Sequence, residues 1–336
     1  MFSQGLLFVV LLSILLRSGE MKKPTTRIFG GENVDRGDLP YMALVKQLVR
    51  GDICGGAIIS ERHILTGGMC AKYHTRPFDR SIVITGTVSL DYGGIIHRIM
   101  HAIAHPLFHR HYPDSIRYDI GVITLCDEIK FNVLQKPVKL PTHPVRDGEE
   151  AIISGWGHTE TEKNPDILQK LVTNVYSVKT CAKMAESKSF ADGSRICTKS
   201  EKGKGFCNFD NGSPLVVNGV IVGIASLLYG CGTGEIDQYA NIYRCMNFIS
   251  EEMQSGCSNP NFYNFLLEYY NNNNNNNKNN NHDYNFNHDI IDSDDNDHFE
   301  NDYDNGNRNA HSKINCQTCF DHCWDKEIKS DYTLYV

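Results

Sequence analysis

Three features that would each point to a different class of protein are missing from this sequence. Beyond the first sixteen residues, no apolar run is long enough to cross a bilayer, so we expect no membrane-spanning segment. No basic stretch is present and the chain outside residues 271–312 is close to neutral, which excludes nucleic acid as a partner. Strands do not alternate with helices, which argues against a parallel-sheet fold. Nothing in the sequence calls for a cofactor or a metal ion.

The N-terminus carries an apolar run at residues 5–16, followed at once by polar residues. This run is too short to span a bilayer, and the polar residues behind it disfavour the alternative of a buried helix. We predict a signal peptide over residues 1–19 and a short activation peptide over residues 20–27. The twelve cysteines agree with export, because disulfides persist in oxidising compartments.

Between residue 28 and about residue 250, β-branched runs are separated by Gly, Pro, Asp and Asn turns, which predicts an all-β domain. The runs are AIIS, HILTGG, SIVITGTVSL, GVITL, EEAIISGW and PLVVNGVIVGIASLL. Residues 241–254 differ, since apolar residues recur there at helical spacing and predict one amphipathic C-terminal helix. We place the folded domain at residues 28–258.

The composition changes sharply after this domain. Residues 271–277 are an unbroken asparagine run, and residues 271–312 carry nine acidic and two basic side chains. Such a segment buries too little apolar area to offset chain entropy, so we expect a disordered, low-complexity Asn/Asp-rich tail. The sequence ends in a small cysteine-containing module, residues 313–336, which includes CQTCFDHC.

Five motifs occur together in the folded domain, in one order and spacing. They are RIFGG at 27–31, CGGAIISERHILTGGMC at 54–70, YDIGVITL at 118–125, SGWG at 154–157 and CNFDNGSPLVV at 207–217. This constellation resembles the chymotrypsin/trypsin family of serine proteases (S1). The resemblance implies two antiparallel six-stranded β-barrels with a site in the crevice between them, followed by a C-terminal helix.

That family needs a hydroxyl nucleophile, an imidazole base and an orienting carboxylate. The resemblance puts Met69 at the histidine position, Asn211 at the serine position and Asp119 at the aspartate position. A thioether exchanges no proton near neutral pH, and an amide is a very poor nucleophile. The sequence therefore predicts no catalytic residue and an inactive serine protease homologue.

Two neighbours were weighed as replacements. His63 lies six residues before Met69 and is better explained as a surface or packing histidine, while Ser213 lies two residues past Asn211 with its hydroxyl aimed elsewhere. Residues 211–213 also spell an N-glycosylation sequon, whose use the following Pro214 and an expected tight turn disfavour.

The remaining cleft positions are altered relative to the family. Phe209 replaces a glycine whose N–H belongs to the oxyanion hole, and Leu228 replaces a glycine of the cleft wall. Gly205 stands at the base of the specificity pocket, where trypsins carry aspartate. Asp237 stands at a position where the family usually has a glycine in the pocket wall. It is either a site that binds a basic side chain or a solvated loop carboxylate.

The activation switch of the family is retained. Arg27 and Ile28 match its cleavage site, and Asp210 matches the aspartate that pairs with the freed amino terminus. Ser226, which lies beside the triad aspartate in relatives, is also present. A retained switch without catalytic groups indicates a protein whose shape matters more than turnover, unless it is a recently inactivated remnant.

The resemblance implies three disulfides: Cys54–Cys70, Cys181–Cys197 and Cys207–Cys231. Cys126 and Cys245 are left over in the domain, and we predict that they pair. Four cysteines lie outside the domain: Cys257, Cys316, Cys319 and Cys323. The Cys-x-x-Cys spacing among them suggests zinc ligation. Because their number is even and the chain is expected to be exported, two disulfides are favoured instead. The Asp-rich tract lacks the spacing of a calcium-binding loop and is taken as solvated charge.

The leading hypothesis is a secreted, non-catalytic binding protein that modulates an extracellular protease cascade or a host immune response, or acts in venom or saliva. Its expected partner is an extracellular protein: a protease, an inhibitor or a cascade component. The eight residues 20–27 leave no room for the clip domain of known cascade cofactors. The alternatives are a structural or matrix protein that binds through its tail and Cys-rich end, and a residual hydrolase with a rearranged nucleophile.

Overall fold

The computed structural model of the protein describes residues 28, 30–76, 78–111, 115–158, 166–185, 190–227 and 231–254. The predicted signal peptide, Arg27, Leu228, the Asn/Asp-rich tail and the C-terminal module lie outside these residues. None of the helices in the described part is both long and apolar enough to cross a membrane.

Strands dominate the described residues, as the β-branched runs predict. They are β1 (Glu32–Asn33), β2 (Met42–Gln47), β3 (Ile53–Ile58), β4 (His63–Thr66), β5 (Ser81–Thr85), β6 (Ile95–Ala104), β7 (His109–His111), β8 (Ser115–Arg117), β9 (Gly121–Leu125), β10 (Glu149–Gly155), β11 (Gln169–Tyr176), β12 (Arg195–Lys199), β13 (Pro214–Val217), β14 (Val220–Leu227) and β15 (Ile236–Asn241).

The first barrel closes in the order β2-β3-β4-β9-β6-β5, with antiparallel pairing throughout. Its core includes Ile64 on β4, Ala102 on β6 and Ile123 on β9, which oppose one another across the three strands. All five residues of β9 are buried, which explains why its sequence is a continuous apolar run rather than an alternating one. The separate strands β7 and β8 form a two-stranded sheet.

The second barrel closes in the order β10-β13-β14-β15-β12-β11, and β1 adds to its edge at β11. The turn between β13 and β14 uses Asn218 and Gly219, both with positive φ, as hairpin turns require. Ile28 is fully buried in the core of this barrel, together with Phe206 and Tyr239. The predicted chymotrypsin-like architecture of two six-stranded barrels is confirmed.

Helices are few and short. Helix α1 (Val178–Met184) begins at Ser177, whose hydroxyl accepts a hydrogen bond from the backbone N–H of Thr180. The C-terminal helix α2 (Met246–Gln254) is present but begins five residues later than the apolar spacing predicts. The difference arises because Asn241 still pairs with Gly223 in the β14–β15 ladder. A 3₁₀ turn, Tyr243–Cys245, then separates the strand from the helix.

The three disulfides implied by the family resemblance are confirmed as Cys54–Cys70, Cys181–Cys197 and Cys207–Cys231. The predicted Cys126–Cys245 pair is wrong. Cys245 is a free, buried thiol whose pKa burial raises to about 12, so it remains protonated. Cys126 is disulfide-bonded, and its partner lies outside the described residues. Pairing the two leftover cysteines failed because Cys126 follows β9 of the first barrel, whereas Cys245 follows β15 of the second.

Candidate functional site between the barrels

Asp119 is bonded to residues of both barrels. It precedes β9 and is 3% exposed. Its Oδ1 accepts the backbone N–H of Met69 at 2.8 Å, and its Oδ2 accepts the hydroxyl of Ser226, on β14, at 2.7 Å. The carboxylate is therefore oriented from both barrels, with Met69 as its neighbour on one side.

Met69 lies where the first barrel passes from β4 into a single helical turn, Cys70–His74. Its backbone is already helical, with φ of −58° and ψ of −46°, and the adjacent Cys54–Cys70 disulfide ties this turn to β3. The side chain is half-buried. The Met69 backbone is thus bonded to the Asp119 carboxylate, and the side chain that this residue carries is a thioether rather than an imidazole.

Asn211 approaches from the second barrel, in the loop between the Cys207–Cys231 disulfide and β13. Its carbonyl oxygen accepts the backbone N–H of Gly55, on β3, at 2.9 Å. This bond brings Asn211 to the edge of the first barrel, where Cys70 Sγ lies 3.7 Å from the same carbonyl oxygen. The residue is half-buried, and the functional group of its side chain is an amide.

The two candidate replacements are placed differently: Ser213 lies at the Gly55 contact with its hydroxyl buried, and His63 lies farther away. Ser213 is fully buried against Gly55, and no described group hydrogen-bonds to its hydroxyl. His63 pairs with Thr124, three residues along the β4–β9 ladder from the Thr66–Gly121 pair. Three residues of strand correspond to about 10 Å, so the His63 ring lies at the far end of β4 from Met69.

Phe209 adopts a backbone conformation that favours glycine. Its φ is +71°, in the left-handed region, which is an outlier for a bulky residue. The side chain remains 38% exposed and its ring lies 4.7 Å from that of His158, tilted by 50°. The backbone conformation is the one that a glycine position favours, but the residue here carries an exposed aromatic side chain. The His158 contact was missed by the sequence analysis, because nothing near SGWG indicated it.

Asp210 is completely buried one residue before Asn211. Its Oδ1 accepts the N–H of Gly157 at 2.8 Å, and its Oδ2 accepts the N–H of Cys207 at 2.9 Å. Burial raises the pKa of this carboxyl to about 7, and the two backbone N–H groups only partly oppose that effect. Gly157 is the last residue of SGWG, so the motif supplies a donor to Asp210, a role that its sequence did not reveal.

Gly205 and Asp237 lie against each other in the second barrel. Gly205 has a φ of +151°, and a Cβ placed there would approach Asp237 Oδ2 to 2.7 Å. The carboxylate therefore occupies room that a side chain at residue 205 would need. Asp237 is 8% exposed and accepts the N–H of Phe206 at 3.3 Å. Burial, with a smaller contribution from the charge of Asp210, raises its pKa to about 7. Asp237 is not a solvated loop carboxylate.

Comparisons with known proteins agree with the fold and with the family resemblance. A model of the family described as Trypsin matches residues 28–249. The trypsin of Simulium vittatum is 31% identical over 213 residues, covering 61% of this chain and 84% of that protein. Chymotrypsin-2 of Vespa crabro is 29% identical over 228 residues, covering 67% of this chain and 99% of that protein.

A solved structure titled HL collagenase superimposes with a TM-score of 0.59 at 24% identity, covering 67% of this chain and 98% of that chain. At this identity the likeness concerns the fold alone. The two barrels, the Asp119 junction and the match over residues 28–249 define a chymotrypsin-like serine protease domain. The chain belongs to the trypsin family.

Proposed function

We propose that this chain is a secreted, non-catalytic member of the trypsin family that acts by binding another extracellular polypeptide. The observation that carries the proposal is the hydrogen bond from the Met69 backbone to Asp119. In the family alignment Met69 stands at the position of the general base, and the side chain it carries is a thioether. A thioether cannot accept the proton of a nucleophile or return it to a leaving group.

The second missing group reinforces the first. Asn211 reaches the first barrel through its carbonyl bond to Gly55, and in the family alignment this residue stands at the position of the nucleophile. Loss of either the base or the nucleophile in a comparable triad lowers turnover by a factor on the order of 10⁶. The two candidate replacements are poorly suited, because the Ser213 hydroxyl is buried without a hydrogen-bond partner among the described residues and His63 lies at the far end of β4.

A binding role has support from the cleft. Buried groups that retain a charge are usually matched by a partner of opposite sign, and Asp237 lies beside Gly205 with only one backbone N–H donated to it by the described residues. A basic side chain of a partner polypeptide would supply the missing cation. Such a partner would be a protease, an inhibitor or another component of an extracellular cascade.

Export has support from two observations. The apolar run at residues 5–16 has the length of a signal peptide. The three disulfides of the described residues belong to an oxidising compartment. A cytosolic location would leave these pairs reduced.

The direct test is reaction of the purified chain, before and after cleavage with immobilised trypsin, with a fluorophosphonate probe that labels activated serines. Bovine trypsin serves as the positive control, and the matched variant is Ser213→Ala. We expect no labelling above background and no hydrolysis of chromogenic peptides. Labelling that disappears in Ser213→Ala would establish a rearranged nucleophile and overturn the proposal.

A further inference from the structure

The first barrel contains four histidines in or directly after its strands, and all four are withdrawn from water to some degree. His63 begins β4, His97 and His101 lie on β6, and His105 follows β6. His63 and His97 are each 4% exposed, while His101 and His105 are half-buried. The six strands β10–β15 of the second barrel carry no histidine. Buried imidazole is thus confined to one of the two barrels.

His63 and His101 flank Thr124 on neighbouring strands. Both pair directly with Thr124, on β4 and β6 respectively, so the three side chains share one face of the sheet. The Nε2 atom of each imidazole is buried, and no hydrogen-bond partner for it exists among the described residues. His63 Nδ1 lies 2.7 Å from the Ser60 hydroxyl. A proton added at either Nε2 would be a buried donor without an acceptor.

The charged groups that act on these two imidazoles are cations. Arg62, held by Glu128 at 3.7 Å, opposes protonation of His63. Arg76, which lies over the Phe78 ring at 4.9 Å, opposes protonation of His101, whose own ring lies 6.4 Å from Phe78. Burial and these positive charges lower the pKa of both histidines to about 4.

The other two histidines act in the same direction. His105 Nδ1 accepts the N–H of Leu107 at 3.1 Å, and its ring stacks on Tyr118 at 4.7 Å. Burial lowers its pKa to about 4, and protonation at Nδ1 would break the Leu107 bond. His97 Nε2 lies 2.8 Å from the Thr85 hydroxyl, which also bonds Gln135. Burial lowers the pKa of His97 even though Asp127 and Gln135 oppose the effect.

The sign of this linkage is fixed by the lowered pKa values. A histidine that titrates near pH 4 when folded and near pH 6.5 when unfolded leaves stability intact above about pH 6.5. Stability is lost as the pH falls from about 6.5 towards 4, because the unfolded barrel then binds more protons. At pH 5 each such histidine favours the open barrel by roughly 30-fold relative to neutral pH.

The second barrel responds with the opposite sign. Asp210 and Asp237 are buried carboxyls with raised pKa values, held by the consecutive backbone N–H groups of Cys207 and Phe206. The charge of Asp210 acts on Asp237, and the charges of both carboxylates act on the buried Tyr239 hydroxyl. Protonation in mild acid removes two buried negative charges, so the second barrel gains stability over the range in which the first barrel loses it.

We propose that mild acid selectively opens the first barrel of this protein, around the His63–Thr124–His101 face, while the second barrel stays folded. This asymmetry is built into the placement of the titratable groups and does not depend on the proposed binding function. Because the crevice needs both barrels, it would be formed near neutral pH and lost in mild acid.

The test is hydrogen exchange with mass spectrometry on the full-length protein at pH 7.5 and pH 5.0, corrected for the intrinsic pH dependence of amide exchange. We expect protection in peptides covering β4, β6 and β9 to fall at least 10-fold at pH 5.0. Peptides covering β10–β15 should change less than 2-fold. Equal loss in both barrels, or unchanged protection in the first, would overturn the proposal.

Variants assign the effect to the two histidines. His63→Phe combined with His101→Phe keeps the ring size but cannot titrate, so the pH-dependent loss of first-barrel protection should be much smaller than in the wild type, with the remainder due to His97 and His105. His143→Phe, at an exposed histidine, is the matched control and should keep the wild-type ratio. Each single variant is measured as well. If the double variant fails to fold, the single variants still test the assignment. A wild-type ratio in both single variants would refute the assignment.

Discussion

The hydroxyl of Ser226 donates to Asp119 Oδ2 at 2.7 Å, and this bond connects β14 of the second barrel to the loop before β9 of the first. The same carboxylate accepts the Met69 N–H through its other oxygen. An aspartate that orients a catalytic base in relatives is thus retained here as a tie between barrels. The thioether of Met69, whose backbone bonds this carboxylate, has no proton to exchange near neutral pH.

The left-handed backbone at Phe209 predicts an inverted order of stability between two variants. Phe209→Gly and Phe209→Ala both lose the His158 contact, but only glycine adopts a φ of +71° without strain. We expect the glycine variant to be more stable than the alanine variant by about 1–2 kcal/mol, measured by thermal or urea unfolding. At exposed Phe131, which has no such backbone, the same pair should show the usual order with alanine more stable. Alanine above glycine at residue 209 would contradict the strain.

Restoring the two missing catalytic groups should not restore efficient proteolysis. Met69→His with Asn211→Ser rebuilds the proton relay around Asp119, but Phe209 still fills a position that the oxyanion hole needs open. Loss of one oxyanion donor lowers turnover by roughly 10²- to 10³-fold. We expect near-background hydrolysis of chromogenic peptides by the trypsin-cleaved double variant.

Measurable rates should return only when Phe209→Gly and Leu228→Gly are added to that double variant. The matched control adds Phe131→Gly instead, at an exposed phenylalanine outside the cleft. Robust turnover by the simple double variant would mean that the oxyanion hole and cleft are intact and that catalysis was lost recently.

Cleavage after Arg27 should stabilise the cleft loops without creating activity. In the described structure Asp210 is fully buried and bonded only to backbone N–H groups, with a pKa raised to about 7. The stability that the neutral Asp210 carboxyl contributes is fully present below about pH 4 and is lost as the pH rises through about 7. Ionising this buried carboxyl carries a penalty of about 4 kcal/mol for the folded state. An ammonium group at Ile28 would remove that penalty.

Hydrogen exchange at pH 8 before and after trypsin cleavage measures this effect in the loop between Cys207 and Pro214. We expect added protection in the cleaved wild type and none in cleaved Asp210→Asn. Asp192→Asn, at a carboxylate bonded within its own turn and to Arg117, should retain the gain. Identical exchange before and after cleavage of the wild type would show that the switch is vestigial.

Asp237 predicts binding of a small cation. Benzamidine, whose amidinium carries one positive charge, is the probe, and calorimetry gives its Kd. Because only the ionised carboxyl attracts a cation and the pKa of Asp237 is about 7, affinity should rise about 10-fold between pH 6 and pH 8. Asp237→Asn should abolish binding, whereas Glu235→Gln, at an exposed carboxylate two residues away, should leave it unchanged. Binding that is insensitive to both pH and Asp237→Asn would place the cation elsewhere.

Local pattern was sufficient for most of the architecture. The runs HILTGG, GVITL and EEAIISGW contain β4, β9 and β10, because β-branched residues bounded by turn formers have few other ways to bury their side chains. The order and spacing of the motifs, through their family resemblance, predicted the two barrels and three disulfides, since covalent pairing follows from a shared fold.

Other features depended on distant parts of the chain. The start of α2 was misplaced because the β14–β15 ladder holds Asn241 extended against its local helical spacing. The Cys126–Cys245 pairing failed because counting cysteines carries no information about which barrel each one belongs to. The burial of side chains was equally hard to predict, because the sequence does not disclose whether water reaches a lone histidine or aspartate.

The sequence by itself determined which side chains stand at the catalytic positions, because identity at a motif position needs no coordinates. Only the tertiary structure decided the pKa values of the buried aspartates and histidines elsewhere in the domain. Asp237 acquires its raised pKa from burial and from the charge of Asp210, and His63 acquires its lowered pKa from burial and from the charge of Arg62. Desolvation is a property of what surrounds a group in space, and neighbours in space are set by the closure of the barrels.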